Sequence, residues 1–182
     1  MLKGQIVAGD FSKIVMRIKA GQQVEIGELL VLDDGKEKFL LQAYDLLYGS
    51  QISLQNLEMV AGLNLEEGEY NLLDEHVRNY QLALLKPLLT IGAGETLCKS
   101  LPAFFRQVRA VRKEDLAFIT MPRTPLFLGQ LRSGSKTMDF PISLPGAEVL
   151  SHHVLIPAST GKGKSNLMST LLWDVTGKNY AG

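Results

Sequence analysis

The chain is poor in cysteine and histidine. Cys98 is its one cysteine, so no internal disulfide can form and no Cys-x-x-Cys metal knuckle exists. A lone thiol fits a reducing compartment and leads us to expect a cytoplasmic protein. The three histidines, His76, His152 and His153, do not have zinc-site spacing. No apolar run reaches the roughly 18 residues that a membrane-spanning helix requires. Met1-Leu2-Lys3-Gly4 does not begin a signal-peptide core. These absences argue against a disulfide scaffold, a zinc module and a helical membrane protein. What is present is a 182-residue chain that is 46% hydrophobic and 21% charged, the composition of one or two globular domains.

Formal net charge is zero, but it is unevenly spread. Residues 46–76 carry six acidic groups and no Lys or Arg, whereas residues 77–136 carry ten basic and three acidic groups. Such asymmetry suits complementary faces between subunits or contact with an anionic polymer. Two solvated surfaces of different sign would produce it equally well.

The most informative stretch runs from Ser151 to Thr176. Val154-Leu155-Ile156 is a short apolar run of the kind found in a strand covered on both faces. Ala158 to Ser165 follows the phosphate-loop pattern G-x-x-x-x-G-K-[ST], with Ala158 in place of the first glycine. An amphipathic helix should follow, with Leu167, Leu171 and Val175 every four residues and Met168 and Leu172 beside them. Gly161 and Gly163 lack a Cβ, so backbone N–H groups can approach phosphate oxygens. The helix N-terminus adds a positive end at the same place. Ser159, Thr160, Gly161, Lys162, Gly163, Lys164, Ser165 and Asn166 are the candidate nucleotide-binding residues. Lys164 supplies charge to the β- and γ-phosphates, and Ser165 is the candidate ligand of Mg²⁺. Lys162 is read as a solvated loop residue within the same set. An incidental Gly/Lys-rich loop is the competing reading, and the flanking strand and helix patterns weigh against it.

Upstream, the chain reads as mainly β with short helices. Ile14, Met16 and Ile18 alternate with more polar neighbours, and Asp33-Asp34-Gly35-Lys36 separates two apolar strands as a hairpin turn. Several short strands with frequent turns predict a small barrel or sandwich. Residues 50–76 read as a helical insertion, with Ser53 as cap and Leu54, Leu57 and Ala61 on one face. Pro87 breaks the apolar run Leu82–Ile91, which predicts an edge or a bulge. Phe104 and Phe105 among Arg106, Arg109 and Arg112 could mark nucleic-acid binding. A half-buried strand with a charged outer face is the favoured reading. Lys113 to Leu116 reads as one helical turn, and Ser133-Gly134-Ser135 as a second hairpin turn.

These residues resemble a known family. Leu128-Gly129, Arg132-Ser133-Gly134-Ser135 and the run Ser151 to Leu167 look like archaeal HerA-type ATPases. The N-terminal part resembles the small barrel that precedes the ATPase domain there and that ATP synthase subunits share. The resemblance implies a β-barrel domain over 1–145 and the first strand, phosphate loop and helix of an α/β ATPase domain over 146–182. It implies ATP and Mg²⁺ as cofactors. It also implies a homo-oligomer, a hexameric ring that moves on double-stranded DNA and works with a NurA-type nuclease in processing DNA ends.

An ATPase of this class also needs a second strand ending in acidic residues, together with an arginine finger. Residues 151–182 offer neither, so the sequence reads as a barrel plus a truncated ATPase opening. A non-enzymatic module for oligomerisation or nuclease docking is the alternative. A small phosphotransferase is disfavoured because such kinases usually begin at the loop strand. We therefore expect the 182-residue polypeptide to show no steady ATP turnover. Phosphate release from pure protein that disappears in Lys164→Ala would contradict this.

Overall fold

The structure, a computed structural model, describes residues 1–66, 79–92 and 94–177. Period-two alternation builds its first half. In β2 (Ile14–Ile18) the residues Ile14, Met16 and Ile18 are buried, while Val15 and Arg17 are only partly covered. Six strands close on themselves in the order β2, β1 (Leu2–Gly9), β7 (Gln107–Ala110), β3 (Leu29–Asp33), β4 (Lys38–Ser50) and β5 (Asn79–Ile91). Closure is the antiparallel pairing of β2 with β5, from Ile14 opposite Leu85 to Arg17 opposite Leu82. β6 (Glu95–Leu97) adds to the side of β5. A closed sheet satisfies the backbone groups that an open edge would expose. Ile6, Met16, Leu30, Phe39, Leu41, Leu85 and Val108 are among the side chains that fill the interior.

The turn at 33–36 forms as its residues dictate. Asp33 Oδ1 accepts the Gly35 N–H at 2.9 Å, and Asp34 Oδ1 accepts those of Lys36 at 3.1 Å and Glu37 at 3.0 Å. Asp33 then stands opposite Lys38 across the β3–β4 pair. Pro87 lies at a bulge, because Leu40 pairs with Leu89 and Leu41 with Pro87, leaving one residue of β5 unmatched. A second bulge at Tyr44 bends β4 beyond the reach of β3. There Leu46, Leu47 and Tyr48 are exposed, Tyr48 by 91%.

The expected helix appears as α1 (Leu54–Glu66). The Ser53 hydroxyl accepts the Asn56 N–H at 3.4 Å, and its carbonyl accepts the Leu57 N–H at 3.0 Å. None of its residues is buried. The acidic stretch 67–76 of the expected insertion lies outside the described residues. The aromatic–arginine stretch resolves into two parts. Val108 of β7 is buried and Arg109 half-buried, whereas Phe104 and Phe105 are exposed just ahead of the strand, with Phe105 at φ 60°.

The chain divides into two compact units, 1–112 and 113–182. The second opens with the 3₁₀ turn Lys113–Leu116, followed by β8 (Pro125–Ser133) and β9 (Lys136–Pro145). β8 and β9 pair along nearly their whole length and form a two-stranded sheet of their own. The Ser133-Gly134-Ser135 hairpin is thus present but is not a barrel element, because the six closed strands leave it no place in their ring. After β9 come α2 (Gly146–Leu150) and α3 (Lys164–Thr176). Val154-Leu155-Ile156 precedes the loop as expected but lies in no ladder, and Leu155 is 87% exposed. A parallel strand takes its backbone partners from neighbours, and no described strand pairs with this run.

Two turns tie the first unit to pH. Asp10 takes hydrogen bonds from the Ser12 hydroxyl at 2.6 Å, the Ser12 N–H at 2.8 Å and the Lys13 N–H at 3.0 Å, and they lower its pKa. The Glu37 and Lys36 amides, in that order, lower the pKa of Asp34. Both folded values lie below the ordinary 3.8, so their stabilisation is complete above that pH and is lost as pH falls through the folded values. Urea melts at pH 5 and pH 3 should show this loss, and Asp10→Ala with Asp34→Ala should flatten it. An unchanged pH dependence in the double variant would contradict this role.

Candidate nucleotide site

The site lies wholly in the second unit, where the chain turns from the apolar run 154–156 into α3. Two consecutive glycine turns make the bend. Gly161 has φ 79° and Gly163 φ 83°, backbone shapes that cost an L side chain about 1–2 kcal/mol each. No atom lies within 4 Å of a Cβ built on either, so the demand is on the backbone angle and not on space. Ala158 is not among the positive-φ residues, so the missing first glycine costs nothing in conformation. The Lys162 N–H donates to the Ser159 carbonyl at 3.3 Å and tightens the loop.

Gly163 is the N-cap of α3, and no side chain caps that end. The first N–H groups of an α-helix have no partner within the helix, so this terminus presents donors and a partial positive charge. Lys164 and Ser165 occupy the first turn, and both are exposed, as are Ser159, Thr160, Gly161, Lys162, Gly163 and Asn166. All eight sequence candidates therefore sit together around one open helix end.

The helix is held from its other end. Leu167, Leu171 and Val175, the stripe repeated every four residues, are half-buried, and Met168, Leu172 and Trp173 are exposed. α3 packs on β8, and the Asp174 carboxylate accepts the Phe127 N–H at 2.9 Å. Asp174 is not among the candidate residues that the sequence pattern marks. The available signal was a single acid lying beside the apolar stripe, seven residues after Leu167. Phe127 adjoins a bulge in the β8–β9 pairing, between Phe127 and Gly129, and a side chain from the helix takes up its N–H.

Among the described residues no group of three or more His, Cys, Asp or Glu side chains could hold a metal ion. Ser165 remains the candidate Mg²⁺ ligand, with its hydroxyl in the first helical turn next to where the phosphates would lie. No described helix is long and apolar enough to cross a membrane.

The Asp174 contact sets an expected outcome. Asp174→Ala should strip hydrogen-exchange protection from the Phe127 amide and cost about 1–2 kcal/mol, since the bond is charge-assisted and half-buried. Unaltered protection at Phe127 would show that another group holds that strand.

The family model described as Helicase HerA, central domain, matches residues 126–181, from the hairpin through α3. No curated protein matches the chain. The match takes in the β8–β9 hairpin, the glycine loop and α3, and over those residues the chain is similar to the HerA helicase central domain.

Proposed function

We propose that residues 159–166 bind the phosphates of ATP, with Lys164 on the β- and γ-phosphates and Ser165 on Mg²⁺. The observation that carries this reading is the conformation at the start of α3. Two left-handed glycines, Gly161 and Gly163, deliver the chain to a helix N-terminus that no side chain caps. That arrangement suits a polyphosphate, which takes several backbone donors at once and tolerates no Cβ crowding along the loop. The family match over 126–181 supports ATP as the nucleotide.

The wider role follows the family. We infer that the chain serves an ATP-driven DNA translocase of the HerA type, built as a homo-oligomeric ring and working with a NurA-type nuclease on double-stranded DNA ends. We place the domain boundary at 112–113 and not at 145, because the hairpin clusters with the loop and helix and the family match takes in that hairpin from residue 126. The barrel's own use is as an assembly module, for oligomerisation or nuclease docking. The exposure of Leu46, Leu47 and Tyr48 on β4, where β3 no longer runs beside it, favours this second role.

Equilibrium binding of Mg²⁺-ATP tests the loop assignment. Lys164→Ala should weaken binding by at least tenfold, or about 1.4 kcal/mol, while leaving the melt of the first unit unchanged. Ser165→Ala should remove the gain in affinity that Mg²⁺ brings. Binding within threefold of wild type in Lys164→Ala would mean that Lys164 is not the phosphate lysine.

A further inference from the structure

Among the described residues, Phe105 is the one non-glycine residue with a positive φ, at 60°. A bulky L residue takes that shape only where its surroundings impose it. Here β1 imposes it. The Phe105 N–H donates to the Ile6 carbonyl at 2.9 Å, and the Ile6 N–H donates to the Arg106 carbonyl at 3.1 Å. The ring so placed adds little to the barrel interior, because Phe105 is 69% exposed and Phe104 63%. A strained backbone that turns an apolar ring toward solvent points to a use outside the fold. The two ring centroids lie 6.2 Å apart with their planes tilted by 50°. The rings do not stack on each other, so each can offer a face to a flat ligand.

The charge around the rings has one sign. From Thr96 to Arg112 the chain carries Lys99, Arg106, Arg109 and Arg112, and no Asp or Glu. Lys99 and Arg106 are both exposed. Among the described residues the Arg106 side chain forms neither a hydrogen bond nor an ion pair. Its charge does reach the Asp34 carboxylate, whose Oδ1 already accepts the Lys36 and Glu37 amides. Two aromatic faces beside an exposed guanidinium are the elements from which single strands are gripped.

We propose that Phe104, Phe105 and Arg106 form a platform for single-stranded DNA. Unpaired bases stack on the two rings, Arg106 takes a phosphate, and Lys99 adds charge nearby in the chain. The choice of DNA rests on the DNA role proposed above. A duplex keeps its base faces inside its own stack and so fits the rings poorly. An apolar protein groove would also accept the rings, but four cations without an acid favour a polyanion.

The test is fluorescence anisotropy of a labelled oligothymidylate of about 12 nucleotides, titrated with the full chain. The controls are an abasic strand of the same length, the duplex with oligodeoxyadenylate, and oligouridylate. Saturable binding to oligothymidylate is expected, more than fivefold tighter than to the abasic strand or the duplex. Phe104→Ala and Phe105→Gly should each weaken it more than threefold, the effect of losing a stacked base. Phe105→Gly should leave the melt of the first unit unchanged or raise it, since glycine accepts φ 60°. Arg106→Gln should lower the slope of log K against log salt by about 0.7, the share of one phosphate on a single strand. No binding, abasic strand or duplex within fivefold, both ring variants within threefold of wild type, or a lower melt in Phe105→Gly would each overturn the proposal. Tighter binding of oligouridylate would overturn the assignment to DNA. Saturating Mg²⁺-ATP should not displace the strand. Competitive displacement would put the strand on the glycine loop, so the platform would fail and the loop assignment would stand. If the strand binds through Phe104 and Phe105 while Lys164→Ala keeps full affinity for Mg²⁺-ATP, the platform stands and the loop assignment fails.

Discussion

The pairing of β2 with β5 is the constraint on which the first unit depends. Without it, β2 and β5 would each present an open edge, and the apolar faces of Ile14, Met16, Ala83 and Leu85 would lose their shared interior. The closure also explains the bulges. Six strands must tilt and curve to meet, and the extra residues near Pro87 and Tyr44 supply local bend and twist. The same closure gathers Arg17 of β2, the ring of Tyr80 and the amides of β1 and β5 along one stretch of wall. A structural requirement of the barrel therefore also fixes the geometry of its outer surface.

The second unit works by a different rule. Its loop is positioned by backbone angles available to glycine, and its helix by packing and one hydrogen bond from Asp174 to the Phe127 amide. The hairpin, loop and α3 form a cluster separate from the barrel strands. The open helix end matters chemically because α3 begins at Gly163 itself, so a ligand would face the helix donors with no intervening side chain. Leu155, Leu172 and Trp173 are apolar residues left exposed outside this packing.

Much of this was legible in the residues. Alternation in 14–18, the Asp-Gly turn at 33–36, Pro87 at a bulge, the Ser53 cap and the 113–116 turn all follow from local chemistry, and all are present. The eight loop candidates were visible because the phosphate-loop pattern is itself a local backbone requirement. What could not be read was non-local. The hairpin at 125–145 has the same alternating look as a barrel strand pair, and only pairing partners reveal that it stands apart. Val154 to Ile156 has the composition of a buried strand, yet a strand is defined by neighbours that composition does not contain. Asp174 could not be singled out, because its partner lies 47 positions away. Arg17 and Tyr80 meet only because β2 closes on β5.

The central claim is that the backbone donors of the glycine loop and the first turn of α3 receive a polyphosphate. Amide chemical shifts measured by NMR during a titration with Mg²⁺-ATP test it directly, because they report each N–H by residue. The account predicts the largest saturable changes at Gly161, Lys162, Gly163, Lys164 and Ser165, moving together with a single dissociation constant. Saturation with those five amides unmoved, and the shifts confined to other residues, would contradict it.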